Sequence, residues 1–508
     1  MAKKQPNILF IQVDQMVASA LPFHGHPLVK APHLTRLAES GVTFDAAYCN
    51  SPLCAPSRFS MMSGQLASTI EAYDNAAEFP AAVPTFAHHL RLAGYRTRLV
   101  GKMHFVGPDQ QHGFEERLTT DIYPADFGWT PDWTRSGERQ NYFHVLSSVK
   151  SAGPFARTLQ LDYDEEVAAR AEQELFDLLR QPDERPFFLL VSFTHPHDPY
   201  ATDKEHWDRY EGLEIDLPRV PAIPVDQQDP HSARLMRCYG AADEPLDEEN
   251  IRRARRAYYG SISYIDDKVG ALMAALKASG VADDTVVLFT GDHGDMLGER
   301  GLWYKMSFFE GSARVPFIVQ APGRFAPARV SRPVSLIDLF PTLLDLAGGE
   351  APPAIEPLPG SSLLPLLEGA REGGPGEVLG EYLAEGAVGP LVMIRRGHFK
   401  FVVGEDSPPQ LFDLESDPDE LRNLAEDPDH KEIAEAFARE VAERWDFDSL
   451  RQAVIRNQQR RILVQRALMT GRFEPWDHQP PADASRRYVR NTGSVLEDLE
   501  RTSNLPLA

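Results

Sequence analysis

The chain predicts an α/β fold in which a large, mostly parallel sheet is flanked by helices, with a smaller antiparallel sheet and a helical tail after it. Three observations predict it. Near-continuous apolar runs of strand length recur along the chain, stretches of helical periodicity separate them, and a Gly- and Pro-dense break precedes a hairpin pattern.

The first run, Asn7-Ile8-Leu9-Phe10-Ile11-Gln12-Val13, has the composition of a strand buried on both faces. Apolar residues at three- and four-residue spacing predict a helix over 33–40 and another over 85–93. A run at 97–101 follows, then a helix at 164–179, a run at 187–193 and a long helix at 247–279. Runs at 285–290 and 315–320 complete the alternation. Residues 347–376 are dense in Gly and Pro and read as a boundary. Beyond it, 391–394 and 398–403 read as a hairpin, 410–414 as a further strand, and 431–468 as one amphipathic helix. The irregular segment Pro475-Trp476-Asp477-His478-Gln479-Pro480 carries apolar groups that need something to pack on. The expected organisation is a catalytic α/β domain over 1–376, a small-sheet subdomain over 377–430, and a helical and irregular extension over 431–508.

Hydrophobic residues are 42% and charged residues 25%, which excludes a disordered chain. Only Cys49, Cys54 and Cys238 are present, which argues against a disulfide framework and for a reducing compartment. The 7–13 run is too short for a leader and ends at Asp14, and no run of 18 apolar residues occurs, so a cytoplasmic location with no membrane contact is expected. A formal charge of −23 repels nucleic acid and favours cationic ligands. The aromatic content of the tail suggests subunit contact, hence a homo-oligomer, a dimer or tetramer.

In parallel α/β sheets ligands bind beyond the carboxyl ends of the strands. Asp14, Lys102, His195 to Asp198, and Asp292-His293 each follow such an end. Elsewhere lies Cys54-Ala55-Pro56-Ser57-Arg58, a Cys-x-Pro-x-Arg motif that seldom arises by chance with 3 cysteines. Set in Ser51-Pro52-Leu53-Cys54-Ala55-Pro56-Ser57-Arg58 before Gly64, it resembles the signature of the type I sulfatases. The Pro6–Asp14 strand, Gly101-Lys102-Met103-His104, His195-Pro196-His197-Asp198-Pro199, Thr290-Gly291-Asp292-His293-Gly294, Lys305 through Arg314-Val315-Pro316, and Leu411-Phe412-Asp413-Leu414 through Asn423-Leu424-Ala425 resemble that family's other blocks, in its order.

The resemblance implies an alkaline phosphatase-like fold with a large mixed, mostly parallel sheet. It also implies that a maturation system oxidises Cys54 to formylglycine (3-oxoalanine), whose hydrate attacks sulfur through one hydroxyl and expels sulfate from the sulfated enzyme through the other. It assigns Asp14, Gln15, Cys54, Asp292 and His293 to one divalent ion. Oxygen donors suit Ca²⁺ first, with Mg²⁺ or Mn²⁺ as alternatives. Many sulfatases carry a second aspartate where this chain has Gln15. By the same resemblance Arg58 and Lys102 hold the diol, His104 is the base for elimination, and Lys305 and His197 bind the sulfate and leaving oxygens. His195 is expected to be structural.

Segments 73–78, 112–129 and 476–480 resemble the choline sulfatase branch, which implies choline-O-sulfate as substrate. A trimethylammonium group needs aromatic faces and a carboxylate. Trp129 and Glu385 are the first choices, with Asn75 and His144 lining the same pocket, and acidic residues 497–500 reach toward a neighbouring subunit. The alternatives are a phosphonate monoester or phosphodiester hydrolase, an arylsulfatase, or an unmodified choline- or sulfate-binding protein.

Overall fold

The computed structural model describes residues 5–135, 144–180, 183–244, 246–348, 352–370 and 376–481. The expected reach of 497–500 into a second subunit lies outside the described residues. A nine-stranded mixed sheet forms the centre. Its strands are β1 (Asn7–Val13), β2 (Val42–Tyr48), β3 (Arg96–Gly101), β4 (Glu116–Arg117), β5 (Phe187–Ser192), β6 (Thr285–Gly291), β7 (Arg314–Gln320), β8 (Ala328–Val330) and β9 (Val334–Ser335). They run in the order β8-β2-β7-β6-β1-β5-β3-β4, with β9 also pairing with β2. Only β7 is antiparallel to its neighbours, β6 and β2.

β1 sits between β5 and β6, with Ile11 opposite Val191 on one side and Phe289 on the other. These strands are buried along almost their whole length, as their unbroken apolar runs require. Because β3, β5, β1 and β6 are parallel neighbours, their carboxyl ends stand side by side. That places the segments beginning at Lys102, Phe193, Asp14 and Asp292 at one edge of the sheet. β2 was not anticipated: its run is interrupted by Asp45, whose side chain pairs with Arg329 rather than entering the core.

The principal helices are α1 (Pro32–Ser40), α2 (Cys54–Ser63), α3 (Phe86–Leu92), α4 (Leu159–Arg180), α5 (Pro230–Tyr239), α6 (Glu248–Ala278) and α7 (Leu339–Ala347), then α8 (Lys431–Arg444) and α9 (Phe447–Leu468). α1, α4 and α6 pack together, as do α2, α3 and α7. The 31-residue α6 starts where Asp247 accepts a hydrogen bond from the Asn250 N–H at 2.8 Å. The single helix expected over 431–468 is two. Trp445 is extended (φ −128°, ψ 124°), and the Asp446 carboxylate caps α9 by accepting from the Ser449 N–H at 3.0 Å. A period-only reading runs across such a break because the apolar spacing continues on both sides.

β10 (Glu377–Tyr382), β11 (Leu391–Arg396), β12 (Phe399–Gly404) and β13 (Ser407–Asp413) form an antiparallel sheet in that order. Its side chains alternate between two buried surfaces. Val378, Met393, Val402 and Phe412 join the main core, while Leu379, Val392, Ile394, Phe401 and Leu411 pack against Ala434, Phe437 and Val441 of α8. Among the described residues no helix is long and apolar enough to cross a membrane.

Candidate active site

Asp14 and Asp292 leave adjacent strands, and the Asp292 N–H donates to Val13 O at 3.1 Å, locking the two ends together. Cys54 opens α2, all ten of whose residues are buried, so the positive end of the helix dipole points at position 54. Leu53, in the N-cap position, offers no side-chain cap. Asn75 Oδ1 takes over by accepting the Ala55 N–H at 3.0 Å.

Two residues four positions apart on a helix share a face, and this brings Arg58 beneath Cys54. Its guanidinium lies between the two carboxylates: Nε donates to Asp292 Oδ2 at 2.8 Å and Nη2 to Asp14 Oδ2 at 3.0 Å. Nη1 donates to Lys102 O at 2.6 Å and Ser192 Oγ at 2.8 Å. Every guanidinium nitrogen is thus engaged away from position 54. Through these bonds it grips the carboxylates that flank position 54. Lys102 Nζ ion-pairs with the same Asp14 Oδ2 and stands 4.2 Å from the centre of the Tyr123 ring. Burial opposes the charge on Asp14, but Lys102 and Arg58 around it hold its carboxyl well below the usual range.

With both Oδ2 atoms committed to cations, the Oδ1 atoms face position 54. Asp14 Oδ1 is 3.8 Å from Cys54 Sγ and 3.8 Å from His293 Nε2, and Asp292 Oδ1 is 3.7 Å from His293 Nε2. His293 Nδ1 bonds Gly294 O at 3.0 Å, leaving Nε2, 3.2 Å from Cys54 Sγ, as the ring's outward lone pair. Donor atoms of Asp14, Cys54, Asp292 and His293 all lie within 4.8 Å of one another, and all four residues are buried. Two carboxylate oxygens and one imidazole nitrogen, with an oxygen at position 54 after oxidation, fit a hard divalent cation. Gln15 stands beside this cluster with its amide already engaged: Oε1 accepts from Lys305 at 2.5 Å, and Nε2 donates to Asp295 Oδ2 at 2.6 Å.

Gly101 is strictly needed where β3 ends. Its φ is +104°, and a Cβ there would lie 1.9 Å from Ser192 O. The turn it permits carries Lys102 inward and leaves His104 at φ +58°, its N–H donating to Asp121 Oδ2 at 2.9 Å. Neither ring nitrogen of His104 has a hydrogen-bond partner among the described residues. Burial, with Lys102 adding, pushes the ring down to about 3, so it stands as a neutral proton acceptor. Lys305 Nζ donates to His197 Nε2 at 2.8 Å, and His197 Nδ1 bonds Asp198 O at 2.5 Å. Burial raises the Cys54 thiol to about 12, with Asp14 adding, so an unoxidised Cys54 is a neutral thiol and a poor nucleophile.

A cavity of about 520 Å³ opens on this cluster. Cys54, His197 and Lys305 line it together with Asn75, Trp129, His144 and Glu385. The His144 ring stacks on Tyr304 at 4.5 Å and bonds Asp198 Oδ2 at 3.1 Å. Trp129 meets Tyr123 edge-on at 5.1 Å and His104 at 5.8 Å. His195 is turned away, with Nδ1 on Asp164 at 2.7 Å. Two contributors escaped the sequence reading. Tyr123 lies inside the 112–129 segment already singled out, so its motif could have flagged it. Asp295, which fixes Gln15, sits three residues past Asp292 with no motif to mark it.

A profile of the Sulfatase family matches residues 6–349, a profile for the N-sulphoglucosamine sulphohydrolase C-terminal region matches 298–446, and one described as Choline sulfatase enzyme C terminal matches 452–504. A choline-sulfatase of Rhizobium meliloti (strain 1021) is 50% identical, over 100% of this chain and 99% of that protein. An arylsulfatase K of Danio rerio is 31% identical over 90% and 87%. The crystal structure of a phosphonate monoester hydrolase of Agrobacterium radiobacter superposes with a TM-score of 0.68 at 27% identity, covering 88% of this chain and 96% of that one. With these matches spanning the strand-end cluster and the C-terminal helices alike, the chain belongs to the sulfatase family and is a sulfuric ester hydrolase.

Proposed function

We propose that the chain hydrolyses choline-O-sulfate to choline and sulfate, with Cys54 carried as formylglycine. The observation that carries this reading is a single cavity lined both by a buried ammonium, Lys305, and by an indole face and a carboxylate, Trp129 and Glu385. The substrate is a small zwitterion with an anionic and a trimethylammonium end, and those linings match it group for group. The full-length likeness to the Rhizobium meliloti choline-sulfatase supports the same substrate.

Asp14, Asp292, His293 and position 54 would hold the divalent ion, Ca²⁺ by its oxygen-rich donors, with Gln15 Oε1 at its margin. The ion and the hydrated formylglycine together supply a nucleophilic hydroxyl at neutral pH. The chain's own residues do the rest. Lys305 spends two N–H bonds on Gln15 and His197, leaving a third donor for a sulfate oxygen. His197, kept neutral by burial and by Lys305, orients that ammonium by accepting from it, and the pair would bind the sulfate and leaving oxygens. His104 takes the proton whose removal lets sulfate depart. Arg58 and Lys102 would hold the diol, and their ion pairs keep Asp14 aligned from two sides and Asp292 aligned from Arg58.

A cytoplasmic setting is supported by the scarcity of cysteine, 3 in the whole chain, with Cys49 and Cys54 as free thiols. A homo-oligomer is supported by exposed Leu463, Met469 and Phe473 on and just beyond α9. The domain division at 376 and 430 is supported by the separate antiparallel sheet between them.

Two measurements test the reading. Mass analysis of the peptide containing residue 54 should show conversion of thiol to aldehyde, and Cys54→Ala should abolish turnover in a folded protein; full turnover in that variant would remove the mechanism. The kcat/KM for choline sulfate should exceed that for phenyl phosphonates and aryl sulfates. Trp129→Ala should cost choline sulfate roughly 2- to 30-fold, the worth of a cation–π contact, while sparing the aryl ester. Equal losses for both esters would dismiss the ammonium pocket.

A further inference from the structure

Arg461 lies on α9, 387 positions along the chain from Asp74, yet it reaches the two stretches that wall the substrate cavity. Nη1 donates to Asp74 Oδ1 at 2.8 Å and Nη2 to Asp74 Oδ2 at 2.6 Å, a bidentate pair whose side chains are 5% and 0% exposed. Nη1 also donates to Thr130 Oγ1 at 3.1 Å, and Nε to Asn457 Oδ1 at 2.6 Å. Asp74 precedes Asn75, which lines the cavity and bonds the peptide next to Cys54. Thr130 follows Trp129, which lines the same cavity. One buried guanidinium therefore holds the neighbour of each wall residue.

The rest of α9 treats the Trp129 loop in the same way. Gln465 Oε1 accepts the Phe127 N–H at 3.2 Å, Gln458 Oε1 accepts the Trp133 N–H at 2.9 Å, and beyond the helix Asp477 Oδ1 accepts the Ala125 N–H at 3.2 Å. The loop has little regular structure of its own, so these side chains satisfy its backbone donors in place of a strand or helix. A buried ion pair adds little to stability compared with an apolar pair of equal volume, but it fixes geometry. Arginine suits that task because its planar fork serves two acceptors at once, whereas a lysine presents a point charge.

We propose that Arg461 is a specificity-determining positioning residue, which ties the Asn75 wall to the Trp129 wall and so sets the spacing that receives the cationic end of the ester. The proposal rests on the choline sulfate reading above. It touches neither the ion cluster nor Lys305, so an ester lacking the ammonium should sense it less than choline sulfate does.

Steady-state kinetics of Arg461→Lys and Thr130→Val with choline sulfate and 4-nitrophenyl sulfate test it, with thermal unfolding confirming each fold. Arg461→Lys should raise KM for choline sulfate about tenfold, within the range of a lost cation–π contact, with kcat within about twofold. Thr130→Val, which leaves the Asp74 pair intact, should raise KM in the same direction by about threefold. The aryl ester should lose less than choline sulfate in both. Should Arg461→Lys not fold, the neutral pair Asp74→Asn/Arg461→Met takes its place with the same expectation. Unchanged KM for choline sulfate in the folded variants, or equal losses for both esters, would overturn the role. Wild-type protein that turns over the aryl ester but not choline sulfate would sink the substrate assignment, and the role of Arg461 with it.

Discussion

Glu385 sits in the loop between β10 and β11, buried against the substrate cavity. Burial pushes its carboxyl up to about 7, with its own backbone N–H opposing and Asp74 adding. Below that pH the group is a neutral acid with nothing to offer a trimethylammonium; above it, it is a counter-ion. KM for choline sulfate should therefore fall as pH rises through about 7, Glu385→Gln should flatten that fall, and KM for an aryl sulfate should show neither effect. A pH profile of KM from both enzymes checks it, and an identical profile for the two would exclude Glu385 from the pocket. At this scale the sequence was informative about identity and less so about contact. Cys54, Arg58, Lys102, His104, Asp292 and His293 are legible because each sits in a short motif at a strand end or helix start. That Arg58 turns toward Asp14 and Asp292 is not legible, since its partners come from two strands far away in the chain. Nor is the left-handed backbone at Gln15 and His104, which residue type disfavours and only the surrounding packing enforces.

The break between α8 and α9 shows how one element's end anchors another. Leaving the helix at Trp445 aims its indole at the small sheet, where Nε1 donates to Glu381 Oε1 at 2.7 Å. Ser68 Oγ donates to the same Oε1 at 2.7 Å, and the Ser68 N–H donates to Oε2 at 2.8 Å. One carboxylate thus joins β10, α8 and the segment after α2. Trp445→Phe keeps the ring but removes one of the two hydrogen bonds to Oε1, which should cost about 0.5–1.5 kcal/mol. A lower denaturant midpoint with an unchanged slope would register that loss, and an unshifted midpoint would show that water replaces the indole. The strands and helices that pack on the sheet are legible from period and apolar continuity, which burial on one or both faces imposes directly. β2 and the 445–446 break are not, because an internal Asp disguises one and uninterrupted spacing disguises the other.

Over the whole molecule the acidic excess, −23, acts at longer range than any contact described above. Choline sulfate carries one charge of each sign and no net charge, so a long-range field exerts little pull on it. An aryl sulfate carries a net negative charge and is repelled during its approach. The site's own cations, Lys305, Lys102 and Arg58, are buried and largely spent on Asp14, Asp292 and Gln15, so they do little to reverse that repulsion outside the cavity. Screening shortens from about 10 Å at 0.1 M salt to about 3 Å at 1 M. Raising the ionic strength should accordingly increase kcat/KM for the aryl ester while leaving that for choline sulfate nearly level, and free choline, a cation, should become a weaker competitive inhibitor. Parallel salt titrations of the two esters measure this. A kcat/KM for the aryl ester that falls with salt would mean that the buried cations, not the surface, govern encounter, and that the acidic shell plays no part in favouring a substrate with a positive end.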